Sequence, residues 1–311
     1  MGSSSTAVLL ITHGTVADLD DLLAFGKNIR CGFDAPPELL RELRHRYEVI
    51  GGSSPLGTIT ESLARKLALK LELPVRTCMR LWRPYPADVL PEVLADRIVV
   101  LPLAQHSAKI YEDAVRAAAA ALARSTAPKG PKAIVAVPNW GREPALLAAF
   151  AKRIAAAVAG SSAEQRARTA LILTAHSLPR AIVDAGDAYE REARAAAEAV
   201  ATLVRDHVQD ARIAFQSQGL ATGAGGRPVA WLGPDLPSTL DAVKHDGFTR
   251  VVVAPIGFLA DHVEILFDLD VEAKTLAAER GLELIRTRSL NDDDDFVDVL
   301  ALLARRAMDA A

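Results

Sequence analysis

The stretch ALILTAHSLP, residues 170–179, sets the fold class and also carries a candidate reactive group. Its first residues are continuously apolar, which is typical of a parallel strand that is buried on both faces. The apolar run leads to an imidazole, His176, and a proline follows three residues later. Because proline cannot donate to a sheet ladder, the strand is expected to end close to His176.

The same plan occurs near the amino terminus. AVLLITHGT (7–15) is again an apolar run followed by a threonine and a histidine. Further along, RIVVLPLAQHSAKIYEDAV (97–115) is similar to RVVVAPIGFLADHVEILFD (250–268): each has a strand, a proline, a loop with a histidine and a helical pattern. Two halves of similar plan are the simplest account of these pairs.

Between the strands, apolar residues recur three and four positions apart, as they do on one face of a helix. Alternating strands and helices predict an α/β fold made of two Rossmann-like α/β/α sandwich halves with parallel sheets. We expect the halves at residues 1–150 and 151–311, with the active-site cleft between them.

The composition excludes several classes of protein. The 311 residues carry a net charge of −3 and contain no run rich in lysine and arginine, so no nucleic-acid partner is expected. No apolar stretch approaches the ~20 residues of a membrane-spanning helix. The two cysteines, Cys31 and Cys78, are too few for a four-thiolate site, so no iron–sulfur cluster is expected. Few cysteines also favour a cytoplasmic location.

Histidines cluster at the predicted strand ends, where ligands bind in α/β folds. His13, His106, His176 and His262 all fall at these ends or in the loops that follow. A single histidine in such a place is more often a hydrogen-bonded structural residue than a reactive one. For His176 taken alone, both interpretations stay open.

A second candidate feature lies in GFLADHVEILFDLDVEAK (257–274), where Glu264, Asp268 and Glu272 are four residues apart. On an α-helix this spacing gives one face with about 6 Å of rise between neighbours. The pattern fits a solvated acidic face, and it also fits a carboxylate ladder for a divalent cation such as Fe(II). If His176 and Glu264 faced each other, the pair would suit a reaction that removes protons while a metal replaces them.

The chain resembles the ferrochelatases, which insert ferrous iron into a porphyrin. The resemblance runs nearly end to end, and its most specific parts are TAHSLP (174–179) and the spacing D-H-V-E-x-L-x-D-x-D-x-E (261–272). Other matching segments are NIRCG (28–32), RYEVIGGSSPL (46–56), CMRLWRPYPADVL (78–90), VVLPLAQHS (99–107), FQSQG (215–219), VAWLGPDL (229–236) and SLNDDDDF (289–296).

The resemblance implies roles for individual residues. His176 and Glu264 match the catalytic pair, and the metal residues are expected to be His176, Glu264, Asp268 and Glu272. The second half, 151–311, is therefore expected to carry the residues for metal and proton transfer. The family uses no organic cofactor, and Fe(II) is a substrate. The porphyrin-binding residues implied by the match are His13, Thr15, Arg30, Arg46, Tyr47 and Ser54.

The segment RYEVIGGSSPL and the compact length resemble the branch of the family that uses coproporphyrin III and makes coprohaem. Position 13 departs from that branch, because a histidine stands where the branch usually has a tyrosine. Three alternatives stay open: a protoporphyrin IX ferrochelatase, a metal chelatase for another tetrapyrrole, and a haem or porphyrin carrier with a ferrochelatase-like pocket.

The expected partners are a porphyrin and ferrous iron, with a haem acceptor or the next haem enzyme as a further candidate. The protein is expected to act as a monomer in the cytoplasm. A peripheral contact with a membrane through DLLAFGKNI (21–29) is left open.

Overall fold

The computed structural model describes residues 5–124, 130–219 and 227–310. The chain forms two compact units, and each is built on a four-stranded sheet. The first unit joins Met1–Trp140 to Asn291–Ala311, and the second unit is Gly141–Leu290. Within the described ranges, no helix combines the length and the apolar character that a membrane crossing requires.

Strands and helices alternate along the chain, as the apolar periodicity predicts. The strands are β1 (Thr6–Thr12), β2 (Val75–Met79), β3 (Arg97–Pro102), β4 (Ala133–Ala136), β5 (Thr169–His176), β6 (Asp210–Gln216), β7 (Arg250–Ala254) and β8 (Glu283–Arg286). The α-helices are α1 (Leu22–Ile29), α2 (Pro37–Val49), α3 (Leu56–Leu71), α4 (Pro86–Val89), α5 (Ala108–Ala123), α6 (Pro144–Val158), α7 (Ala163–Ala167), α8 (Arg180–Asp184), α9 (Tyr189–Val204), α10 (Leu236–His245), α11 (Val263–Phe267), α12 (Lys274–Glu279) and α13 (Asp294–Asp309). A π-helical segment, Asp268–Ala273, joins α11 to α12.

The two sheets repeat one topology. The strand order is β2-β1-β3-β4 in the first unit and β6-β5-β7-β8 in the second. All the strand pairs are parallel. The predicted α/β fold with two parallel sheets is therefore confirmed, and the two quoted strands, β1 and β5, hold equivalent places in their sheets.

Strand β5 is buried along its whole length up to His176. On one face, Ile172 packs in a cluster with Leu240 of α10 and Leu269 of the π-helical segment. On the other face, Ala175 packs with Tyr189 of α9. Because helices cover both faces, the strand has no polar face, and the sequence pattern of a continuous apolar run follows from this burial.

The observed units differ from the expected division at residue 150 in two places. Residue 150 lies inside α6, which packs against α9 in the second unit, so the boundary falls before that helix, after Trp140. Helix α13 belongs to the first unit rather than the second, because its buried face packs on α3 and on β3. Lys66 of α3 reinforces this packing by donating to the Asp292 carbonyl oxygen and to the Asp294 carboxylate.

The buried histidine of the first unit leads to a prediction about acid stability. Burial lowers the pKa of the His106 imidazole from 6.5 to about 4. Between these pH values the His106 imidazole is protonated in the unfolded chain but not in the folded chain. The free energy of unfolding is therefore highest above pH 6.5 and decreases as the pH falls towards 4. The full effect is about 3 kcal/mol in the free energy of unfolding.

Denaturant unfolding of the unmodified protein and of His106→Leu, measured above pH 6.5 and near pH 4, checks this prediction. The variant should lose less stability on acidification than the unmodified protein. Equal losses in the two proteins would contradict it.

Candidate active site

The imidazole of His176 lies at the carboxyl end of β5, with β6 and β7 on either side. The backbone carbonyl oxygen of His176 accepts a hydrogen bond of 2.9 Å from the Tyr189 hydroxyl. The backbone beyond it is also held, because the Ser177 N–H donates to the Gln216 carbonyl oxygen over 2.7 Å. The position of the ring is thus set by a buried strand and by two hydrogen bonds that flank it.

The protonation of the His176 ring follows from its neighbour. Nδ1 contacts the carbonyl oxygen of Ser177, which can only accept a hydrogen bond, so the proton of the neutral ring is assigned to Nδ1. The lone pair is then on Nε2, which lies 3.4 Å from Oε2 of Glu264. The nitrogen that is free to accept a proton therefore faces the carboxylate.

A second imidazole has the same arrangement. His262, just before α11, has its Nδ1 3.1 Å from the Ala260 carbonyl oxygen, which again places the proton of the neutral ring on Nδ1. Its Nε2 lies 3.9 Å from the same Oε2 of Glu264. One carboxylate oxygen therefore faces two imidazole nitrogens, each able to take up a proton.

The loop after β7 brings these groups together. The Gly257 N–H donates to the Thr174 carbonyl oxygen of β5 over 2.9 Å. A Cβ at position 257 would lie 2.6 Å from the Cα and 2.7 Å from the Cβ of Ala175. Only glycine permits this approach, which places the loop against β5 one residue before His176.

Phe258, the next residue of the loop, lies beside both imidazoles. Its ring centroid is 6.3 Å from that of His176 and 5.5 Å from that of His262. These are ordinary separations for packed aromatic rings, so Phe258 packs against both imidazoles.

The carboxylate ladder, formed by Glu264, Asp268 and Glu272, lies on a helical stretch whose helix type changes along its length. The spacing predicts a single α-helix, but the structure has the short helix α11, then the π-helical segment, then α12. Glu264 is on α11, whereas Asp268 and Glu272 are in the π-helical segment. An α-helical turn has about 3.6 residues, so a spacing of four is slightly more than one turn. A π-helical turn has more residues, so in that segment the same spacing is slightly less than one turn.

The three carboxylates differ in exposure. Glu272 is exposed, Asp268 is buried, and the Glu264 side chain keeps about a quarter of its surface accessible. Asp268 accepts hydrogen bonds from the Ser217 hydroxyl and, over 3.4 Å, from Nε2 of Gln216. Among residues 5–124, 130–219 and 227–310, no three His, Cys, Asp or Glu side chains form a cluster that could hold a metal ion.

Four residues that surround this site have no role that the sequence pattern predicts: His262, Gln216, Ser217 and Phe258. The position of His262 in the sequence places it near the site, because His262 lies two residues before Glu264. In the structure it is the extended residue directly before α11. Ser217 follows β6 and adopts a left-handed backbone with φ of 58°, which the sequence does not reveal. Its contact with Asp268 depends on the pairing of β6 with β5.

The porphyrin-binding candidates lie in the first unit. The structure brings Thr15 and Tyr47 together through a hydrogen bond of 2.7 Å between their hydroxyl groups, and the Tyr47 side chain is fully buried. Nδ1 of His13, just after β1, lies 3.3 Å from the Tyr111 hydroxyl. The Arg80 guanidinium lies over the Tyr111 ring at 5.5 Å from its centroid.

The remaining candidates have different surroundings. Nε of Arg46 donates to Glu42 over 2.8 Å, one turn earlier on α2. Oγ of Ser54 accepts a hydrogen bond of 3.4 Å from the backbone of Leu56. The buried Nε of Arg30 has no hydrogen-bond partner in the part of the chain that the structure describes.

Comparison with known proteins identifies the family of the chain. The model of one family, described as Ferrochelatase, matches residues 5–308. The chain belongs to the ferrochelatase family. Its substrates are therefore a porphyrin and iron, the chain is an enzyme of this family, and the resemblance seen in the sequence is confirmed.

Named relatives align with the chain over nearly its full length. The protein named Ferrochelatase from Herpetosiphon aurantiacus is 35% identical over 311 residues, covering 96% of this chain and 97% of the relative. The Ferrochelatase of Thermus thermophilus is 36% identical, covering 96% and 98%. The Coproporphyrin III ferrochelatase of Geobacillus thermodenitrificans is 32% identical, covering 99% and 98%.

Solved structures share the fold of this ferrochelatase family member. SirB from Bacillus subtilis with Fe3+ matches with a TM-score of 0.59 at 12% identity, covering 97% of this chain and 95% of SirB. DR2241 from Deinococcus radiodurans, described as similar to chelatases, matches with a TM-score of 0.57 at 16% identity, covering 98% of this chain and 56% of DR2241. At these identities the likeness supports the chelatase-like fold.

The tight approach of the loop to β5 gives a second prediction. Gly257→Ala should lower the free energy of unfolding by about 1–3 kcal/mol, because a methyl group has no room against Ala175. It should also lower the rate of metal insertion, because the loop moves away from His176 together with His262 and the Glu264 of α11. Denaturant unfolding and a ferrochelatase assay measure the two effects.

Gly160→Ala is the matched control, because a Cβ at position 160 meets nothing within 4 Å. It should change the free energy of unfolding by less than about 0.5 kcal/mol and leave the rate unchanged. An equal response of the two variants would show that the approach of Gly257 to β5 has no special importance.

Proposed function

We propose that the protein inserts Fe(II) into coproporphyrin III and releases coprohaem as a step of haem biosynthesis. The observation that carries this proposal is the approach of Nε2 of His176 to Oε2 of Glu264, at 3.4 Å. A proton acceptor at the end of a buried strand, with a carboxylate facing its lone pair, suits a reaction whose cost is the removal of protons from nitrogen.

The proton balance of the reaction fits these groups. Each porphyrin that takes up Fe(II) loses two pyrrole N–H protons, so that a neutral macrocycle becomes a dianionic ligand of the metal. Nε2 of His176 accepts a proton, and the adjacent Glu264 stabilises the imidazolium that results. His262, which faces the same carboxylate, offers a second acceptor.

We propose that the carboxylate ladder delivers the metal. Exposed Glu272 would meet the hydrated ion first, buried Asp268 would follow, and Glu264 would bring it to His176. Oxygen and imidazole ligands suit Fe(II). No three such groups among the described residues form a cluster that could hold the ion, and this favours transfer over storage. An ion held by too few ligands moves readily to the four nitrogens of the porphyrin.

The porphyrin-binding residues are proposed from the resemblance and from local chemistry. Propionates need cations and hydrogen-bond donors, and Arg30 and Arg46 supply the cations. Arg30 is half-buried, and its guanidinium would donate to a propionate. Further contacts are proposed for His13, Thr15, Tyr47 and Ser54.

Coproporphyrin III is the proposed substrate for two reasons. It carries more propionates than protoporphyrin IX, and a set of two arginines with several hydroxyl groups suits a substrate rich in carboxylates. Relatives named for coproporphyrin III, such as the one from Geobacillus thermodenitrificans, also align end to end with the chain. We further propose a cytoplasmic monomer that uses no organic cofactor and no iron–sulfur cluster.

The proposal predicts which porphyrin is metallated and which residues are required. Under anaerobic conditions with ferrous iron, the protein should metallate coproporphyrin III faster than protoporphyrin IX, as followed by the Soret and Q bands. His176→Ala and Glu264→Gln should each lower the rate at least about 100-fold, because both remove part of the proton acceptor.

Other outcomes of this assay have definite meanings. Faster metallation of protoporphyrin IX would keep the chemistry and overturn the substrate. Insertion confined to another metal or tetrapyrrole would identify a different chelatase. Tight haem binding without metallation would identify a carrier, and His13→Tyr would then be the first variant to examine.

A fourth prediction concerns Arg30. Arg30→Met should raise KM for coproporphyrin III about tenfold with a smaller change in kcat, because it removes a charge-assisted hydrogen bond to a propionate. Arg41→Met is the control, since Arg41 is an exposed residue of α2 whose ion pair with Glu38 spans 3.1 Å. Similar KM values for Arg30→Met and the control would remove Arg30 from the binding site.

A further inference from the structure

Arg286, the last residue of β8, holds two aspartates with one guanidinium group. Nε and Nη2 donate to the two carboxylate oxygens of Asp270 over 3.0 and 2.6 Å. Nη1 donates to Oδ1 of Asp261 over 2.8 Å. Only about a tenth of the Arg286 and Asp261 side chains is exposed, so water screens these contacts little.

The two aspartates flank the residues of the proposed metal path. Asp261 lies directly before His262 and three residues before Glu264. Asp270 lies in the π-helical segment, between Asp268 and Glu272. One guanidinium therefore fixes the chain on both sides of the turn that carries Glu264 and Asp268.

This stretch needs support from outside. Helix α11 has only five residues, too few to be stable by itself, and π-helical turns are rare. Three carboxylates four residues apart also repel one another. Buried Ile265 and Leu269 anchor the apolar face of the stretch, but apolar contacts are non-directional and do not select a π-helical turn over an α-turn.

The bidentate contact of the Arg286 guanidinium with Asp270 is directional, unlike the apolar contacts. A bidentate contact fixes both the distance and the orientation of the Asp270 carboxylate, and Lys274 adds a contact of 3.0 Å to Oδ1 of the same group. Buried ion pairs add little net stability, because desolvation of the charges offsets their attraction. Their clearest effect here is on geometry.

We propose that Arg286 is a positioning residue for iron insertion, which sets the spacing of Glu264 and Asp268 by holding Asp261 and Asp270. It contacts neither substrate. Because Asp270 is held in the π-helical segment, Asp268 keeps its contacts with Gln216 and Ser217 while Glu264 faces His176. This proposal rests on the proposed function, since the spacing matters for the passage of iron.

The test compares three substitutions in the full chain. Arg286→Lys keeps the charge but loses the fork, and Asp270→Asn keeps the shape but loses the charge. Arg212→Lys is the matched control, because Arg212 also bridges two aspartates of the second unit, with contacts of 2.8 Å to Asp210 and 2.7 Å to Asp246. Arg212 is near the start of β6 and has no proposed role in catalysis.

Steady-state assays give the first result. Arg286→Lys and Asp270→Asn should each lower kcat/KM for Fe(II) about 10- to 100-fold, which is typical when a group that orients metal-binding residues is changed. KM for the porphyrin should not change, and Arg212→Lys should stay within about twofold of the unmodified protein. The double variant should lose less than the product of the two single losses, because both break the same contact.

Hydrogen exchange gives a result that does not depend on activity. Amides of residues 263–273 should exchange faster in Arg286→Lys and Asp270→Asn than in the unmodified protein, and not in Arg212→Lys. Unchanged exchange and unchanged kcat/KM for Fe(II) in both site variants would overturn the proposal. If the unmodified protein metallated no porphyrin, the proposed function would fall, whereas exchange would still report whether Arg286 holds the segment.

Discussion

The close approach of the β7 loop to β5 is the constraint on which the site depends. His176 and Glu264 are far apart in the sequence, and each is placed by its own element. They meet because Gly257 lies against Ala175, with its N–H bonded to the Thr174 carbonyl oxygen. A larger residue would separate the proton acceptor from its carboxylate. Packing at one glycine thus decides whether a strand-end histidine has a chemical partner.

The electrostatic character of the site follows from backbone carbonyl groups. His176 and His262 each direct Nδ1 at a carbonyl oxygen, so their lone pairs both point at Glu264. Carbonyl oxygens cannot donate, which fixes the neutral form of each ring without a charged partner. One carboxylate therefore faces two nitrogens that can accept protons. Such a group suits a reaction that must dispose of two protons for each metal ion.

The arrangement of the carboxylate ladder depends on the helix type as well as on the spacing of its residues. The repeat of four residues predicts that Glu264, Asp268 and Glu272 share one face, but it does not predict the π-helical segment or the differences in exposure. Residues at the ends of other strands contact this stretch. Ser217 follows β6 and contacts Asp268, and Arg286 ends β8 and contacts Asp270. Each strand of the second sheet therefore places a residue at, or just beyond, its carboxyl end to shape the site.

The sequence by itself determined the α/β class, the repeated parallel sheets and the family, because continuous apolar runs and motif spacing are local properties of the chain. It placed His176 at a strand end and Glu264 on a helix. Tertiary structure alone decided that these two meet, that His262 joins them, and that α13 packs in the first unit. The physical reason is that each of these contacts joins segments distant in sequence, and it forms only when strand pairing and side-chain packing bring those segments together.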